Sequence, residues 1–368
     1  MRSHCSWARR IPKWRQAAAK IEAPKNGIKL LWNYAGNCIS NQHGDINKVY
    51  EVLSDESKCE FIIGCDTVLT DSAKYCDILL PDAMRGEQLN MSTNGYSEYY
   101  FGVTVGGPAQ EPPFECRPIY DVHADIAEKL GVRDKFTAGK TQDEWIKELY
   151  EAGAAADPAM PTWEGILEQG VYKKEIPTAI AFEENIKDPV GHPWNTPSGK
   201  IEIYSEVLDK ISQSRKLSEG QVISPIPIFD PGVEGYGAVT DEYPLYMSGW
   251  HDKARTHSSF GFLDVLKDYN RHRLWINPLD AEPRGIHDGD KVRVKSPAGE
   301  VEIEAHVTSR IVPSVVAMPQ GFWHDADMTS AQKLDKGGCI NTLTTYVPSP
   351  LAHGNGPSNS IIAQVTKA

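Results

Sequence analysis

The seven cysteines of this 368-residue chain never stand in a Cys-x-x-Cys pair. Neither a zinc knuckle nor a local iron–sulfur motif can be recognised without such a pair. An odd and scattered set also fits a disulfide framework poorly. We therefore expect most of these cysteines to be small, buried apolar residues.

Long apolar runs are also missing. No window approaches the roughly 18 consecutive apolar residues of a membrane-spanning helix. The basic start of the chain carries a twin-arginine pair, Arg9 and Arg10, but no apolar segment follows it, as a secretory signal requires. We interpret the pair as coincidental and predict no export signal, hence a cytoplasmic location if the chain is expressed as it stands.

Several common functional patterns are absent as well. The chain lacks Gly-x-x-x-x-Gly-Lys and Gly-x-Gly-x-x-Gly, which argues against a nucleoside triphosphatase and an ordinary nicotinamide dehydrogenase. It lacks Gly-x-Ser-x-Gly, which argues against a hydrolase with a nucleophile elbow. Its net charge of -12 gives no basic surface for phosphate backbones, so nucleic-acid binding is not expected.

What is present predicts an α/β part followed by a β-rich part. The length indicates two or three domains. Short apolar runs at 28–34, 59–65 and 77–81 alternate with a helix that Asp45 caps and with a short helix near Asp71. Strands alternating with helices favour a doubly wound, mostly parallel sheet.

The middle of the chain is less regular. Residues 119–130 and 143–151 have the pattern of amphipathic helices, whereas 158–199 shows little periodicity and is predicted to be irregular. Ile201 begins another ordered element. Prolines and glycines at 223–237 indicate a linker and a domain boundary.

The last part of the chain contains six short strand patterns with turn residues between them. They lie at 243–247, 274–276, 291–295, 301–307, 315–318 and 361–365. A closed or nearly closed barrel is the economical arrangement for so many short strands.

Gly36 and Asn37 follow the first predicted strand, and Asp66 follows the second. Ligands bind at such carboxyl ends in open α/β sheets. Glycine lets a backbone amide approach a phosphate, and a carboxylate can accept both hydrogens of a guanine edge or those of a ribose. The alternatives are a structural loop at Gly36 and Asn37, and an Asp66 that caps the helix near Ser72.

Two later loops are rich in hydrogen-bond donors. Residues 248–259, SGWHDKARTHSS, suit a polyanionic or heteroatom-rich ligand, although a solvated loop is the alternative. Their two histidines lack the i,i+4 spacing of a helical metal pair. Residues 337–345, GGCINTLTT, and 353–355, HGN, could wrap a ligand or simply close the barrel.

Six motifs follow one another in the order found in one protein family. They are WNYAGN at 32–37, CDTVLTDSAKYCDILLP at 65–81, TPSGKIEIYS at 196–205, HDKARTHSS at 251–259, WINPLDAEPRGIHDGDKVRV at 275–294 and GGCINTLTT at 337–345. This shared order is far more specific than any single motif. From about residue 26 to its end the chain resembles the bis-molybdopterin guanine dinucleotide oxidoreductases of the dimethyl sulfoxide reductase type, including selenate-reducing relatives.

The resemblance implies an unassigned segment at 1–25, a partial α/β molybdopterin-dinucleotide-binding domain at 26–235, and a C-terminal dinucleotide-binding domain of the double-psi β-barrel type at 236–368. It places Gly36 and Asn37 near a diphosphate and Asp66 on a guanine. The other positions that match cofactor-binding motifs are His251, Arg255, Thr256, His257, Ser258, Asn341 and Thr344.

The implied cofactor is bis(molybdopterin guanine dinucleotide) with molybdenum, and the implied reaction is oxygen-atom transfer from a small S-oxide, N-oxide or selenate. In the family a serine ligand to molybdenum and a cysteine-bound iron–sulfur cluster precede the WNYAGN motif. We therefore expect neither group in this chain, assign no catalytic residue, and interpret the chain as truncated.

The resemblance also implies partners: an iron–sulfur electron-transfer subunit and a membrane anchor subunit in a periplasmic parent complex. A non-catalytic cofactor-binding or assembly module with the same fold is the alternative.

Overall fold

A computed structural model describes residues 27–94, 100–217, 221–229, 235–269, 271–347, 350–351 and 359–368. By compactness the chain divides into two units, which are described separately. Of the described residues, the first unit holds 27–64, Thr70–Ile78 and those from Ile203 onward, and the second holds Cys65–Leu69 and Leu79–Glu202. The segments 1–25, 26–235 and 236–368, which follow from the family resemblance and not from compactness, stay a prediction.

A three-stranded sheet in the order β1-β2-β3 follows the start of the described chain. Its strands are β1 (Leu31–Tyr34), β2 (Ile62–Asp66) and β3 (Ile78–Pro81). The bridge between Ile28 and Cys59 is parallel. The first two strands each begin three residues later than their apolar runs, because the starts of those runs make only this isolated bridge.

Helix α1 (Ile46–Leu53) begins where the sequence predicts. Asp45 caps it by accepting a hydrogen bond from Lys48 N at 3.1 Å. Ile39 and Ile62 lie in the small core beside this helix, against partly buried Val49. The short helix predicted near Asp71 is a single 3₁₀ turn, Ala73–Tyr75.

The second unit contains an antiparallel sheet in the order β4-β5-β6, which the sequence did not predict. Its strands are β4 (Asn90–Thr93), β5 (Tyr100–Gly106) and β6 (Val171–Glu175). Its helices are α2 (Ile119–Lys129), α3 (Arg133–Thr137), α4 (Gln142–Ala156), α5 (Trp163–Gln169) and α6 (Glu183–Lys187). Helices α2 and α4 confirm the two amphipathic patterns.

The prediction that 158–199 is irregular is wrong. Thr162 Oγ1 accepts from Gly165 N at 3.2 Å and caps α5. Ile166 of that helix is fully buried, and Tyr172 of β6 lies in the same core. A helix of seven residues and a strand of five are too short to display a period in sequence, so only packing reveals them.

The C-terminal strands close into a six-stranded barrel, as predicted, in the order β10-β8-β11-β7-β12-β9. The strands are β7 (Leu245–Trp250), β8 (Arg273–Ile276), β9 (Lys291–Lys295), β10 (Glu300–Val307), β11 (Val315–Pro319) and β12 (Ile361–Lys367). Met247, Leu274 and Val316 are fully buried in its core. Since β7 and β11 pair in parallel, the loops that follow them leave the barrel side by side.

Three further helices complete the described chain: α7 (Glu206–Ser214), α8 (Asp264–Tyr269) and α9 (Pro278–Ala281). The ordered element expected at Ile201 begins at Glu206, and Ile201 is largely exposed. The linker predicted at 223–237 lies partly outside the described residues, as does the HGN motif at 353–355. No helix among the described residues has the length and apolar character needed to cross a membrane.

Candidate functional site

The loop after β7 and the segment after β11 lie against each other. Trp323 Nε1 donates to Ser258 O at 2.8 Å, and Gln320 Nε2 approaches His257 Nδ1 at 3.2 Å. Gly321 has a φ of +87°, and a Cβ there would lie 1.8 Å from His257 O. This contact therefore requires glycine, both for its backbone conformation and for the approach.

Arg255 is held by the same segment. Its Nη1 donates to Gly321 O at 3.1 Å, and its Cζ lies 3.8 Å from the centre of the Phe322 ring. Burial lowers the pKa of the Arg255 guanidinium below its usual value, an effect that Asp252 opposes. No carboxylate lies within ion-pair distance of Arg255 among the described residues. A half-buried, unpaired guanidinium favours an anionic ligand.

His272 lies on the other face of Phe322. The two rings are stacked, with centroids 3.4 Å apart and an angle of 16°. His272 Nε2 lies 2.7 Å from Gly338 O, and since a carbonyl only accepts, Nε2 carries the proton. Burial lowers the pKa of His272 to about 3, with Arg255 contributing to the lowering, so the ring is neutral at physiological pH.

The other predicted residues of this loop are more exposed. The rings of His251 and His257 meet edge to face at 5.6 Å. His251, Thr256 and His257 are exposed and Ser258 is half-buried. Arg255, His257 and Ser258 therefore all contact the segment after β11. The side chain of Thr256 faces solvent.

The loop that carries the GGCINTLTT motif is organised by Asp335, a residue that the sequence did not single out. Its fully buried carboxylate accepts from Asp325 N at 2.9 Å, Gly337 N at 2.8 Å, Cys339 N at 2.8 Å and Thr342 Oγ1 at 2.9 Å. With four donors on two oxygens, both oxygens of this buried carboxylate are hydrogen-bonded twice. Asp335 thereby fixes the backbone that leads to Asn341.

Asn341 and Thr344, both predicted to bind cofactor, make contacts within the protein. Asn341 Nδ2 donates to Asn41 O. Thr344 Oγ1, which is fully buried, donates to Ile340 O at 3.3 Å, and Thr344 O accepts from Asp45 N at 2.6 Å. These residues tie the C-terminal loop to the chain that follows β1.

Asn41 joins the turn after the WNYAGN motif to the segment after β11 and to the GGCINTLTT motif. It lies in the π-helical turn Cys38–Gln42, directly after the WNYAGN motif. Its Nδ2 donates to Phe322 O at 2.6 Å, and its backbone oxygen accepts from Asn341. Asn41 is buried, and no periodicity or motif in the sequence distinguishes it.

Gly36 and Asn37 lie at the carboxyl end of β1, as predicted. Asn37 Oδ1 accepts from Ser72 N at 3.1 Å, while its Nδ2 is buried and has no partner in the described part of the chain. Ala35, just before them, has a positive φ of 44°. The asparagine thus holds the loop with one atom and keeps a donor available with the other.

Asp66 belongs to the second unit and is half-buried. Its Oδ1 accepts from Thr67 N at 2.7 Å. The alternative role, capping the turn near Ser72, is taken by Thr70, whose Oγ1 accepts from Ala73 N at 3.1 Å. That alternative is wrong, and a role for Asp66 in guanine binding stays a prediction.

A second buried polar group, also missed in the sequence, lies behind these loops. Asp71 Oδ2 accepts from His324 N at 2.6 Å, and His324 Nδ1 lies 3.3 Å from Tyr75 Oη. Burial raises the pKa of Tyr75 to about 12 and lowers that of His324. His324 lies outside the quoted motifs, and Asp71, although it lies within CDTVLTDSAKYCDILLP, was considered only as the start of a short helix.

The cysteines divide evenly between two environments. Of the six in the described chain, all of them free, Cys59, Cys65 and Cys339 are buried, and three are intermediate. The expectation that most are buried therefore holds for half of the described set. No group of three or more His, Cys, Asp or Glu side chains suited to a metal ion occurs among the described residues.

The donors of the first unit fit a cofactor made of phosphates and heteroaromatic rings. Asn37 Nδ2 and Trp250 Nε1 are buried donors without partners among the described residues. Unpaired buried donors of this kind are costly unless a ligand or water accepts from them. Arg255 adds a positive charge that makes no ion pair with a carboxylate in the described chain.

Two family models match the chain. The model described as "Molybdopterin oxidoreductase" matches residues 10–129, and that described as "Molydopterin dinucleotide binding domain" matches residues 245–360. The first match begins within the segment that the motifs left unassigned.

Curated relatives match almost the whole chain. It is 47% identical to dimethyl sulfoxide reductase DmsA of Escherichia coli over 95% of its length, and 31% identical to dimethyl sulfoxide/trimethylamine N-oxide reductase of Cereibacter sphaeroides over 92%. These matches cover 42% and 41% of the two relatives. The chain thus spans less than half the length of the relatives it matches.

A solved structure has the same fold. Acetylene hydratase from Pelobacter acetylenicus superposes with a TM-score of 0.70 at 18% identity, covering 96% of this chain and 46% of that one. At this identity the likeness concerns the fold alone. The matched domains and the curated relatives together identify the cofactor as molybdopterin guanine dinucleotide with molybdenum.

Proposed function

Because the chain belongs to the dimethyl sulfoxide reductase family of molybdopterin oxidoreductases, we propose that it supplies part of the protein environment of bis(molybdopterin guanine dinucleotide). The observation that carries the proposal is that Asn41, in the turn directly after the WNYAGN motif, is hydrogen-bonded both to the segment after β11 and to the GGCINTLTT motif. Beside it stand the half-buried, unpaired Arg255 and the unpartnered donor of Asn37. These groups match the acceptors of a pterin diphosphate.

The residues have separate roles in this proposal. Arg255 pairs with an anionic group of the cofactor, and Asn37 Nδ2 donates to a diphosphate oxygen. Asp66 accepts from the guanine edge. Asn341 and Thr344 act mainly by holding the C-terminal loop on the turn at Asn41, since their side chains are already hydrogen-bonded within the protein. His251, Thr256, His257 and Ser258 complete the donor-rich rim.

In the parent enzyme, the bound molybdenum cofactor supplies oxygen-atom transfer from a small S-oxide, N-oxide or selenate. We place the metal ligand and the iron–sulfur cluster in the part of the relatives that this chain does not match. The six-stranded barrel is then the double-psi type of the family. We infer that an iron–sulfur electron-transfer subunit and a membrane anchor subunit complete a periplasmic complex.

Guanosine diphosphate tests the proposed role of Asp66 in guanine binding, because it contains the guanosine and the diphosphate of the cofactor. Calorimetric titration of the 368-residue chain should give at least about tenfold tighter binding of guanosine diphosphate than of adenosine diphosphate, because a carboxylate accepts two hydrogens from guanine only. Asp66→Asn should remove the difference.

Asp134→Asn is the matched control, since Asp134 is an exposed carboxylate of the same unit. It should leave the preference unchanged. Equal binding of the two nucleotides by the unsubstituted chain, or a preference that survives Asp66→Asn, would contradict the proposed guanine site.

A further inference from the structure

Arg255, Phe322 and His272 form a three-layered stack. The guanidinium lies 3.8 Å from the centre of one face of the Phe322 ring. The imidazole lies 3.4 Å from the other face and nearly parallel to it. The three side chains come from the loop after β7, the segment after β11 and the segment before β8. They are therefore held together only by tertiary structure.

The stack fixes the orientation of Arg255. Its Nη1 donates to Gly321 O, and its Cζ lies over the face of the Phe322 ring. Within the described part of the chain, Nε and Nη2 of Arg255 have no hydrogen-bond partner, so this edge of the guanidinium is left for a ligand. A planar fork that is already oriented loses less side-chain entropy when it binds an anion.

His272 supports the stack without adding charge. Its Nε2 donates to Gly338 O, which anchors the ring to the loop of the GGCINTLTT motif. Gly338 has a φ of +79°, and a Cβ there would lie 2.3 Å from His272 Nε2, so the approach requires glycine. Arg255 is the charged group whose field acts on this ring, and a protonated imidazole would repel it.

We propose that Phe322 and His272 are positioning residues that orient Arg255 toward the diphosphate of the cofactor. The inference rests on the proposed function, because it assigns the ligand of Arg255 to that cofactor. Phe322 acts by presenting its ring face to the guanidinium. His272 acts as an uncharged ring that backs Phe322 and ties it to the C-terminal loop.

The test uses inorganic pyrophosphate, titrated calorimetrically into the 368-residue chain at several salt concentrations. Arg255→Gln sets the reference, with a loss of affinity of about tenfold or more. Phe322→Leu should weaken binding about fivefold, the effect of one cation–π contact. It should also reduce the salt dependence of binding to that of Arg255→Gln, because the charge no longer meets the anion.

Two variants of His272 separate its contacts. His272→Phe keeps the stacked ring and should keep the affinity for pyrophosphate, whereas His272→Gln keeps a donor for Gly338 O but loses the ring and should weaken binding about threefold. Phe260→Leu, an exposed aromatic residue on the same loop, is the control and should change nothing. Thermal unfolding of each variant checks the fold.

The outcomes distinguish the two proposals. If Arg255→Gln weakens binding while Phe322→Leu retains the affinity and salt dependence of the unsubstituted chain, the positioning role is wrong and the cofactor site stands. If the unsubstituted chain does not bind pyrophosphate, or Arg255→Gln has no effect, the proposed cofactor role of Arg255 itself is wrong.

Discussion

At the scale of single residues, Asp335 shows how one carboxylate can organise a whole loop. Its two oxygens accept four hydrogen bonds and its side chain is fully buried. A hydrogen bond to a charged group is worth more than one to a neutral group, about 1.5–3 kcal/mol. The loop that carries Asn341 therefore depends on the hydrogen bonds that Asp335 accepts.

Asp335→Asn should lower the free energy of unfolding by about 3 kcal/mol, because the amide turns two of its own hydrogens toward donors that now lack an acceptor. Urea denaturation measures the change. Asp268→Asn, at an exposed position of α8, is the control and should stay within about 0.5 kcal/mol. An equally small change for Asp335→Asn would show that the four bonds are not needed.

His272 should make the stability depend on pH. Its pKa is lowered by burial to about 3 in the folded chain, against an ordinary value of 6.5. Below pH 6.5 the unfolded chain takes up a proton that the folded chain refuses, so stability is lost as the pH falls. Between pH 7 and pH 5 the loss from this residue should be about 1–2 kcal/mol.

The measurement compares urea unfolding of the unsubstituted chain and of His272→Gln at the two pH values. All other titrating groups are shared, so the difference between the two pH dependences isolates His272. Identical pH dependences would mean that the imidazole is protonated in the folded chain as easily as in the unfolded one.

At the scale of elements, the parallel pairing of β7 and β11 sets the site, because it places the two following loops next to each other. Gly321 is the point of closest approach between them. Gly289 has nearly the same φ, +86°, but open space where a Cβ would stand. Substituting alanine at each position therefore distinguishes the free-energy cost of a positive φ from the cost of a steric clash.

Gly289→Ala should lower the free energy of unfolding by about 1 kcal/mol, the cost of alanine at a positive φ. Gly321→Ala should cost at least about 2 kcal/mol more, because a Cβ 1.8 Å from His257 O forces the loop to move. It should also weaken pyrophosphate binding, since that loop carries Arg255. Equal losses in urea denaturation would show that the loop yields without cost.

The elements themselves were predictable where their patterns were long or well capped. The barrel strands alternate buried and exposed residues, as β9 does, and α1 begins at its Asp45 cap. The antiparallel sheet of the second unit was not predictable. Its third strand, β6, has one buried residue, Tyr172, among exposed neighbours, and it joins β5 from about seventy residues away.

At the scale of the whole molecule, the matches to curated relatives cover most of this chain but less than half of each relative. The fold of this chain is shared with an acetylene hydratase as well as with the family of the reductases.

The sequence by itself determined the family, the barrel and the candidate cofactor residues, because motifs and strand alternation are local patterns. Tertiary structure alone decided how those residues act. Asn41 bonds to Phe322 and Asn341, which lie 281 and 300 residues further along the chain. The stack of Arg255, Phe322 and His272 likewise has no local signature. Such contacts depend on how the barrel closes, and contacts between residues far apart in the chain leave no periodic pattern in the sequence.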